Sequence, residues 1–466
     1  AKASVKSKKV SPKSSTIAKS TKKKASVSST RPSKSAPPTL AKTPEQYKAK
    51  AKELFDFAQN LEADKAIANL NQCVAKNYKL YLEDPIIKAE GVWLYTRKGR
   101  KIFDGVSAYS AANLGHNHPL VAEMIRLCLN AKSPTVLGRF LPSTWLGLLG
   151  KKITEMTGFE KYIPTNGGVE APETALKLAR RWGSFVKKIE GTPEILWCTG
   201  AFHGRTITMT QFFNDEPEAY NGFGPFPQGF IEIPYGDINA VKKAITPKTA
   251  AILIEPIQGE GGINIPPDSF FSELRKVANE NNFLIIFDEV QTGWGRTGKL
   301  FAWEYFGKAC RPDIMSVAKS LSGGYAPVGG VLADAPIMDL FKPGSHGSTF
   351  GGSPLSAAIA FAALNAIQIE KLPERSMKMG AYVTKKLEAI AKKSKHILRI
   401  RGKGLFIGIE VNHEGHEAHD FADKLCAEGV ICKDTNKWVL RFTPPLIASK
   451  EELDYALNII EKVFTE

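Results

Sequence analysis

Two residues could do chemistry together. Asp288 lies in FLIIFDEV (283–290), a run of large apolar residues that ends in two acids. Such a run, with no period-2 alternation, reads as a strand buried on both faces, central in a parallel sheet. Its acids then lie at the carboxyl end, where open α/β sheets place ligands. Lys319 lies in SVAKSLSGG (316–324), among small residues and just ahead of a turn at Gly323 and Gly324. A buried Asp with a Lys beside a glycine turn suits pyridoxal phosphate. The Lys forms a Schiff base, and the Asp keeps the ring nitrogen protonated so that the ring draws electrons. Singly, each has a plainer reading, a strand-end cap for the Asp and solvated surface for the Lys. Their order and the motifs around them favour the chemistry.

Four further stretches bear on it. TNGGVEAPETALKLARRW (165–182) puts Gly167 and Gly168 ahead of a helical pattern, with Pro172, Glu170 and Glu173 suited to a first turn. Glycines allow close approach, and free N–H groups at a helix start bind phosphate. HGSTFGGSP (346–354) is a second loop of hydroxyls and glycines suited to phosphate. AFHGRT (201–206) offers Phe202 to stack on a flat cofactor and Arg205 as a fork for a carboxylate. EPIQGEGG (255–262) adds two acids at a strand end. His116 and His118 have no third ligand nearby and read as loop and cap residues.

The elements that must carry these residues follow from the pattern. EILWC (194–198), AAILIEPIQG (250–259), FLIIFDE and VGGVLA (328–333) are short apolar runs between helical stretches, the signature of βα units. GVWLYTRKGRKIFD (91–104) predicts two strands about a turn at Lys98-Gly99, and Pro119 suits the first turn of a following helix. From Pro44, the spacing of Tyr47, Ala51, Leu54, Ala58 and Leu61 predicts a helix with one apolar stripe, a docking face for its own body or a partner subunit. A long Ala-rich helix, SPLSAAIAFAALNAIQIEKL, opens the C-terminal part, followed by LRIRGKGLFIGIEV (398–411), a helix, a strand pair ending in VLRFTPPL (439–446) and a terminal helix. The expected division is 1–44 tail, 45–105 N-terminal segment packing with the small domain, 106–355 large domain, and 356–466 small α+β domain.

Composition narrows the classes. The chain has 466 residues and a net charge of +16, but residues 1–44 hold eleven Lys, one Arg and no acid, so twelve of those charges belong to a tail. The tail is expected to be disordered, because it lacks the large apolar side chains that offset ordering entropy. It suits polyanion or nucleic-acid contact by counterion release. A mitochondrial targeting peptide competes, yet the tail carries Lys in place of Arg and has no amphipathic period. No apolar run has a membrane-spanning length, and no apolar stretch near the start would serve as a secretion signal. The six cysteines show no CxxC spacing and read as free thiols in a reducing, cytoplasmic setting.

From about residue 80 onward, the chain resembles the class III pyridoxal-phosphate aminotransferases, and the ornithine branch most closely. The matching stretches are SAYSAANLGHNHP, NGGVEAPETALKLAR, AFHGRT, EPIQGEGG, FDEVQTGWGRTGKLFA, RPDIMSVAKSLSGG, HGSTFGGSP, RGKGL and RFTPPL, in order. The resemblance implies the type I α/β fold, a large domain with a mostly parallel seven-stranded sheet plus a smaller α+β domain. It implies Lys319 as Schiff-base lysine and proton shuttle, Asp288 at the pyridinium nitrogen, Gln291 at the ring hydroxyl and Phe202 on the ring. The loop at Gly167, Gly168 and Val169 would hold the phosphate, and Thr349 would reach it across a dimer interface. Homodimer or higher assembly is therefore expected.

Substrate choice has its own physical argument. Glutamate and 2-oxoglutarate bring a carboxylate close to the reacting carbon; an ω-amine brings only methylenes. Arg441 of LRFTPPL suits the first and would be an unpaired buried charge with the second. Glu260 can pair with it in one half-reaction and swing away in the other; the family is similar in using such a switch. Arg205 would hold the distal carboxylate of L-ornithine, with Tyr109 and Tyr81 (in YLEDP) beside it. The chain departs from the ornithine branch in a shorter region ahead of GVWLYT, in Gly167 where Thr is usual, and in His203. N-acetylornithine, lysine, 4-aminobutyrate and putrescine are the rival donors. A polyanion-binding protein that has kept the fold without activity is the rival of another class.

Overall fold

The computed structural model describes residues 42–213, 217–412 and 414–466. The expectations for the tail lie outside the described residues, except at its last three positions. The chain divides into two compact units, one ending at Asn60 and one running from Leu61 to Glu466. In the first, Pro44–Asn60 is a helix, as the four-three spacing predicts, and none of its residues is buried.

The second unit is built on a seven-stranded sheet. In spatial order its strands are Lys161–Thr165, Gly329–Ala333, Ile314–Val317, Leu284–Asp288, Thr249–Ile254, Glu194–Cys198 and Phe230–Ile233. The last five are parallel to one another. Gly329–Ala333 runs antiparallel to both of its own. Every residue of Thr249–Ile254 and Leu284–Asp288 is buried, so the apolar runs are indeed central strands.

Alternation decides what each face meets. Ile252, Ile254, Ile285 and Phe287 pack with Phe270, Phe271 and Leu274 of the helix Phe270–Asn281. Leu253 and Ile286 pack with Ala175, Leu178 and Trp182 of the helix Glu170–Phe185. Asp288 shares the face of Ile286. A one-residue slip would push Asp288 toward Phe271 and lose about 2 kcal/mol per displaced apolar side chain.

Two smaller sheets complete the unit. Trp93–Thr96 and Lys101–Asp104 pair antiparallel about the expected turn, where Gly99 has φ 86°. Ile86–Glu90 flanks them on one side and Val430–Ile431, parallel to Lys101–Asp104, on the other. The last sheet is antiparallel, in the order Ile397–Lys403, Phe406–Val411, Val439–Phe442 and Lys433–Thr435. Two helices, Ala63–Cys73 and Leu372–Ala391, are not among the expected elements. The six cysteines are free thiols, with Cys73 exposed and the other five buried. Among the described residues no single helix is long and apolar enough to cross a membrane.

Candidate active site

The carboxyl ends of four parallel strands carry the site. Thr249–Ile254 delivers Glu255, Leu284–Asp288 delivers Asp288, Ile314–Val317 delivers Lys319, and Glu194–Cys198 leads into Phe202 and His203. Lys319 opens a tight turn, Lys319–Ser322, with φ 48°. The chain leaves that turn through Gly323, at φ 62°, where a Cβ would lie 2.8 Å from Leu114.

Asp288 is 4% exposed. Its Oδ1 accepts the Val290 N–H at 3.0 Å, and its Oδ2 lies 2.7 Å from His203 Nδ1. His203 is buried too, and its Nε2 has no partner. A bare lone pair there costs less than an unpaired N–H, so we assign the neutral ring with Nδ1–H donating to Asp288. The pair fixes the carboxylate and keeps a negative charge under cover. The sequence pattern gave His203 no role, because nothing in AFHGRT says which strand end it will face.

Arg441 is fully buried, and its Nη1 donates to Glu260 Oε1 at 2.5 Å. Arg441 Nε and Nη2 have no partner. Thr435 Oγ1 donates to the Glu260 carbonyl at 2.6 Å, and Gln291 Nε2 reaches Glu260 Oε1 at 3.5 Å. Burial works against ionising Glu260, but the charge and hydrogen bond of Arg441, with the charge of Lys319, hold its carboxyl below the usual range. Burial lowers the Lys319 amine, against the pull of Glu260, Asp288 and Glu255 and helped by the push of Arg441. Glu255 is also buried, with Oε2 unpaired, and burial together with the charges of Asp288 and Glu260 pushes its carboxyl well up.

A cradle lies at the start of the helix Glu170–Phe185. Among the described residues, the backbone N–H groups of Gly168 and Val169 donate to no acceptor. A Cβ on Gly168 would lie 2.9 Å from Val290, and one on Gly204 would lie 2.2 Å from Val169, so the loop needs glycine at both places. Glu170 accepts the Asn166 N–H at 2.8 Å, and Asn166 Nδ2 donates to Ser348 Oγ at 2.9 Å. Thr349 follows, exposed, on a groove with Val136, Leu137, Gly138 and Arg139.

The remaining candidates are half-buried or exposed around the site. The Tyr109 ring, at φ 59°, lies 5.2 Å from the Arg441 guanidinium. Phe202 is half-buried, edge-on to Phe213, with exposed Arg205 over both rings. The Tyr81 hydroxyl donates to Asp434 at 2.5 Å, so it is already engaged by a carboxylate. Tyr78 is 73% exposed, and among the described residues its hydroxyl has no partner.

These features fit pyridoxal phosphate. An amine of lowered pKa, a covered carboxylate on the same sheet edge and unpaired N–H groups at a helix start are the three anchors the cofactor needs. Residues 73–464 match the family model described as aminotransferase class-III. The ornithine aminotransferase of Staphylococcus carnosus (strain TM300) is 46% identical over 392 residues, spanning 84% of this chain and 96% of that protein. That of Brevibacillus brevis (strain 47) is 47% identical over 379 residues, spanning 81% of this chain and 92% of its own. A solved ornithine aminotransferase from Toxoplasma gondii, with partial occupancy of PLP at its active site, superposes with a TM-score of 0.84 at 35% identity, covering 89% of this chain and 97% of that one.

Proposed function

This chain belongs to the class-III aminotransferases, and from that premise we propose that it transfers the terminal amino group of L-ornithine to 2-oxoglutarate, forming glutamate-5-semialdehyde and glutamate. It is an enzyme, and its cofactor is pyridoxal phosphate, which supplies an electron-withdrawing ring that stores the amino group between the two half-reactions.

The chain's own residues divide the work. Lys319 Nζ would hold the cofactor covalently and would serve as the base for the proton at the reacting carbon. Asp288 holds the ring nitrogen's proton, and His203 orients Asp288. Gln291 would serve the ring hydroxyl, and Phe202 would cover the ring face. Gly168 and Val169, with Gly167 ahead of them, give N–H groups to the phosphate.

The observation that carries the substrate reading is the Glu260–Arg441 pair, in which a buried arginine keeps two nitrogens unpaired. With Glu260 in place the arginine is neutralised, and a donor with methylenes at the reacting end is accepted. With Glu260 displaced, Arg441 takes the carboxylate next to the reacting carbon of glutamate or 2-oxoglutarate. Arg205 and Tyr109 receive the distal carboxylate of ornithine. Tyr78 joins them more readily than Tyr81, whose hydroxyl Asp434 holds. The catalytic unit is a homodimer with Thr349 serving the partner's phosphate, a reading supported by exposed Thr349, Phe140 and Phe350. The tail adds polyanion contact, supported by its charge alone.

The test is the visible spectrum of the purified protein with single donors and no acceptor. L-ornithine should bleach the yellow band, while 4-aminobutyrate and putrescine should not. Bleaching by another amine and not by ornithine would move the donor to that amine.

A further inference from the structure

A second buried arginine stands behind Arg441. Arg296 lies in QTGWGRTGK (291–299), five residues past Gln291, and is 0% exposed. Its Nε donates to Asn113 Oδ1 at 3.1 Å, and its Nη2 donates to the same oxygen. Its Nη1 donates to the carbonyls of Leu405, at 3.0 Å, and Pro444, at 2.7 Å. Ser376 Oγ donates in turn to the Arg296 carbonyl at 2.8 Å. Every guanidinium nitrogen is used, and among the described residues none meets a carboxylate.

That makes it unlike Arg441. Arg441 keeps Nε and Nη2 free, whereas each nitrogen of Arg296 already has a protein acceptor. Its contacts join three segments around the site: the loop past Tyr109, the loop past Gln291 and the loop past Arg441. The residues just ahead of Tyr109 are also tied to the third, by the Thr443 N–H to the Gly105 carbonyl at 2.8 Å and Ser107 Oγ to the Thr443 carbonyl at 2.8 Å. Burial pushes the Arg296 guanidinium down to about 9, which leaves it protonated at neutral pH. Two other charges act on it, Asp104 favourably and Arg441 unfavourably. Asp104 is itself buried and accepts from the N–H groups of Val106 and Ser107 and faces His116 Nε2 at 2.9 Å.

Two acids therefore face two arginines, with Glu260 half-buried and the other three covered. Glu260 cancels Arg441 by contact, and Arg296 offsets Asp104 through the field. When Glu260 swings away, Arg441 loses its hydrogen-bonded partner, and its placement then rests on the segment that Arg296 holds at the Pro444 carbonyl. We propose that Arg296 is a specificity-determining positioning residue, a fixed charge that offsets Asp104 and holds the Arg441 segment, so that the 2-oxo acid half of the reaction depends on it more than the ω-amine half. The inference rests on the Glu260–Arg441 reading given above.

Four variants test it in the holoenzyme: Arg296→Met, Arg296→Lys, Asp104→Asn, and Arg296→Met with Asp104→Asn. Arg296→Met should raise KM for 2-oxoglutarate and weaken glutarate binding, read by titrating the visible spectrum, by roughly tenfold, with little change in KM for ornithine. Arg296→Lys keeps the charge and should recover most of the loss. Adding Asp104→Asn to Arg296→Met should restore 2-oxoglutarate, since both members of the pair are then neutral. Asp104→Asn alone, which keeps an acceptor for Val106 and Ser107, should tighten glutarate; this arm stands even where Arg296→Met fails to fold. Equal changes in both KM values, or no effect of Asp104→Asn in either background, would overturn the proposal. Arg441→Gln is the control. If it leaves 2-oxoglutarate unaffected, the switch reading itself fails. If it weakens 2-oxoglutarate while Arg296→Met does not, only the role of Arg296 is lost.

Discussion

An amine that attacks a carbonyl near neutral pH must first lose its proton, and burial supplies that push. Lys319 is placed where burial outweighs three nearby acids, so its amine is lowered even though Glu260, Asp288 and Glu255 all favour the ammonium. Lys319→Ala should abolish transfer, and borohydride reduction of that variant should add no cofactor mass by mass spectrometry. Normal turnover would remove Lys319 from the mechanism. Asp434 shows the opposite balance. Burial opposes its ionisation, but hydrogen bonds from Lys433 and Tyr81 prevail and bring its carboxyl from 3.8 to about 2. A folded-state value below the unfolded one stabilises above the unfolded value and is lost as pH falls through the folded one. The window is therefore about pH 4 down to 2. Urea unfolding of Asp434→Asn should show a deficit of up to roughly 2 kcal/mol near neutral pH, shrinking to nothing at the acid end. A pH-independent deficit would mean that Asp434 acts by packing alone.

At the scale of elements, what could be read in the sequence depended on periodicity. FLIIFDEV and AAILIEP announce buried strands because their apolar runs have no alternation, and both are fully covered strands. Asp288 was legible because it ends such a run, and Lys319 because it sits among small residues just ahead of a glycine turn. Leu372–Ala391 carries no such run, and Pro373 and Gly380 are residue types that weaken a helical pattern. Pro373 instead sits in the first turn, where its missing N–H costs nothing, and Gly380 lets the helix backbone touch the turn at Gly404. Contacts of this kind, like His203 against Asp288 or Arg296 against Pro444, join segments far apart in the chain and leave no local pattern. Gly380 gives a test with opposite signs. In an isolated helix, Gly→Ala stabilises by about 1 kcal/mol. Here the added Cβ would lie 2.2 Å from Gly404 backbone atoms. Gly380→Ala should therefore destabilise, by roughly 1–3 kcal/mol, seen as a lower melting temperature of the holoenzyme. A raised melting temperature would show that the helix and the turn do not pack backbone to backbone.

At the scale of the whole molecule, the question is which subunit each site residue serves. Lys319 and Asp288 lie on one sheet edge of their own chain, whereas Thr349 is exposed on a groove beside residues 136–139. Its loop is tied at both ends, by Asn166 Nδ2 to Ser348 Oγ at 2.9 Å and by Arg139 Nη1 to the Gly351 carbonyl at 2.8 Å. A loop held this firmly can present a hydroxyl outward at low entropic cost. Beside it, Phe140 is 89% exposed and Phe350 62%, apolar surface that a partner subunit would cover. Under the dimer reading, Lys319→Ala destroys the subunit's own site, while Thr349→Val impairs the partner's phosphate contact. Refolding the two variants together gives mixed dimers in which one site carries both lesions and the other carries neither. With random pairing, activity at limiting cofactor should rise to about a quarter of wild type, well above either variant alone. If Thr349 serves its own subunit, no site in the mixed dimer is intact, and activity should stay at the average of the two parents.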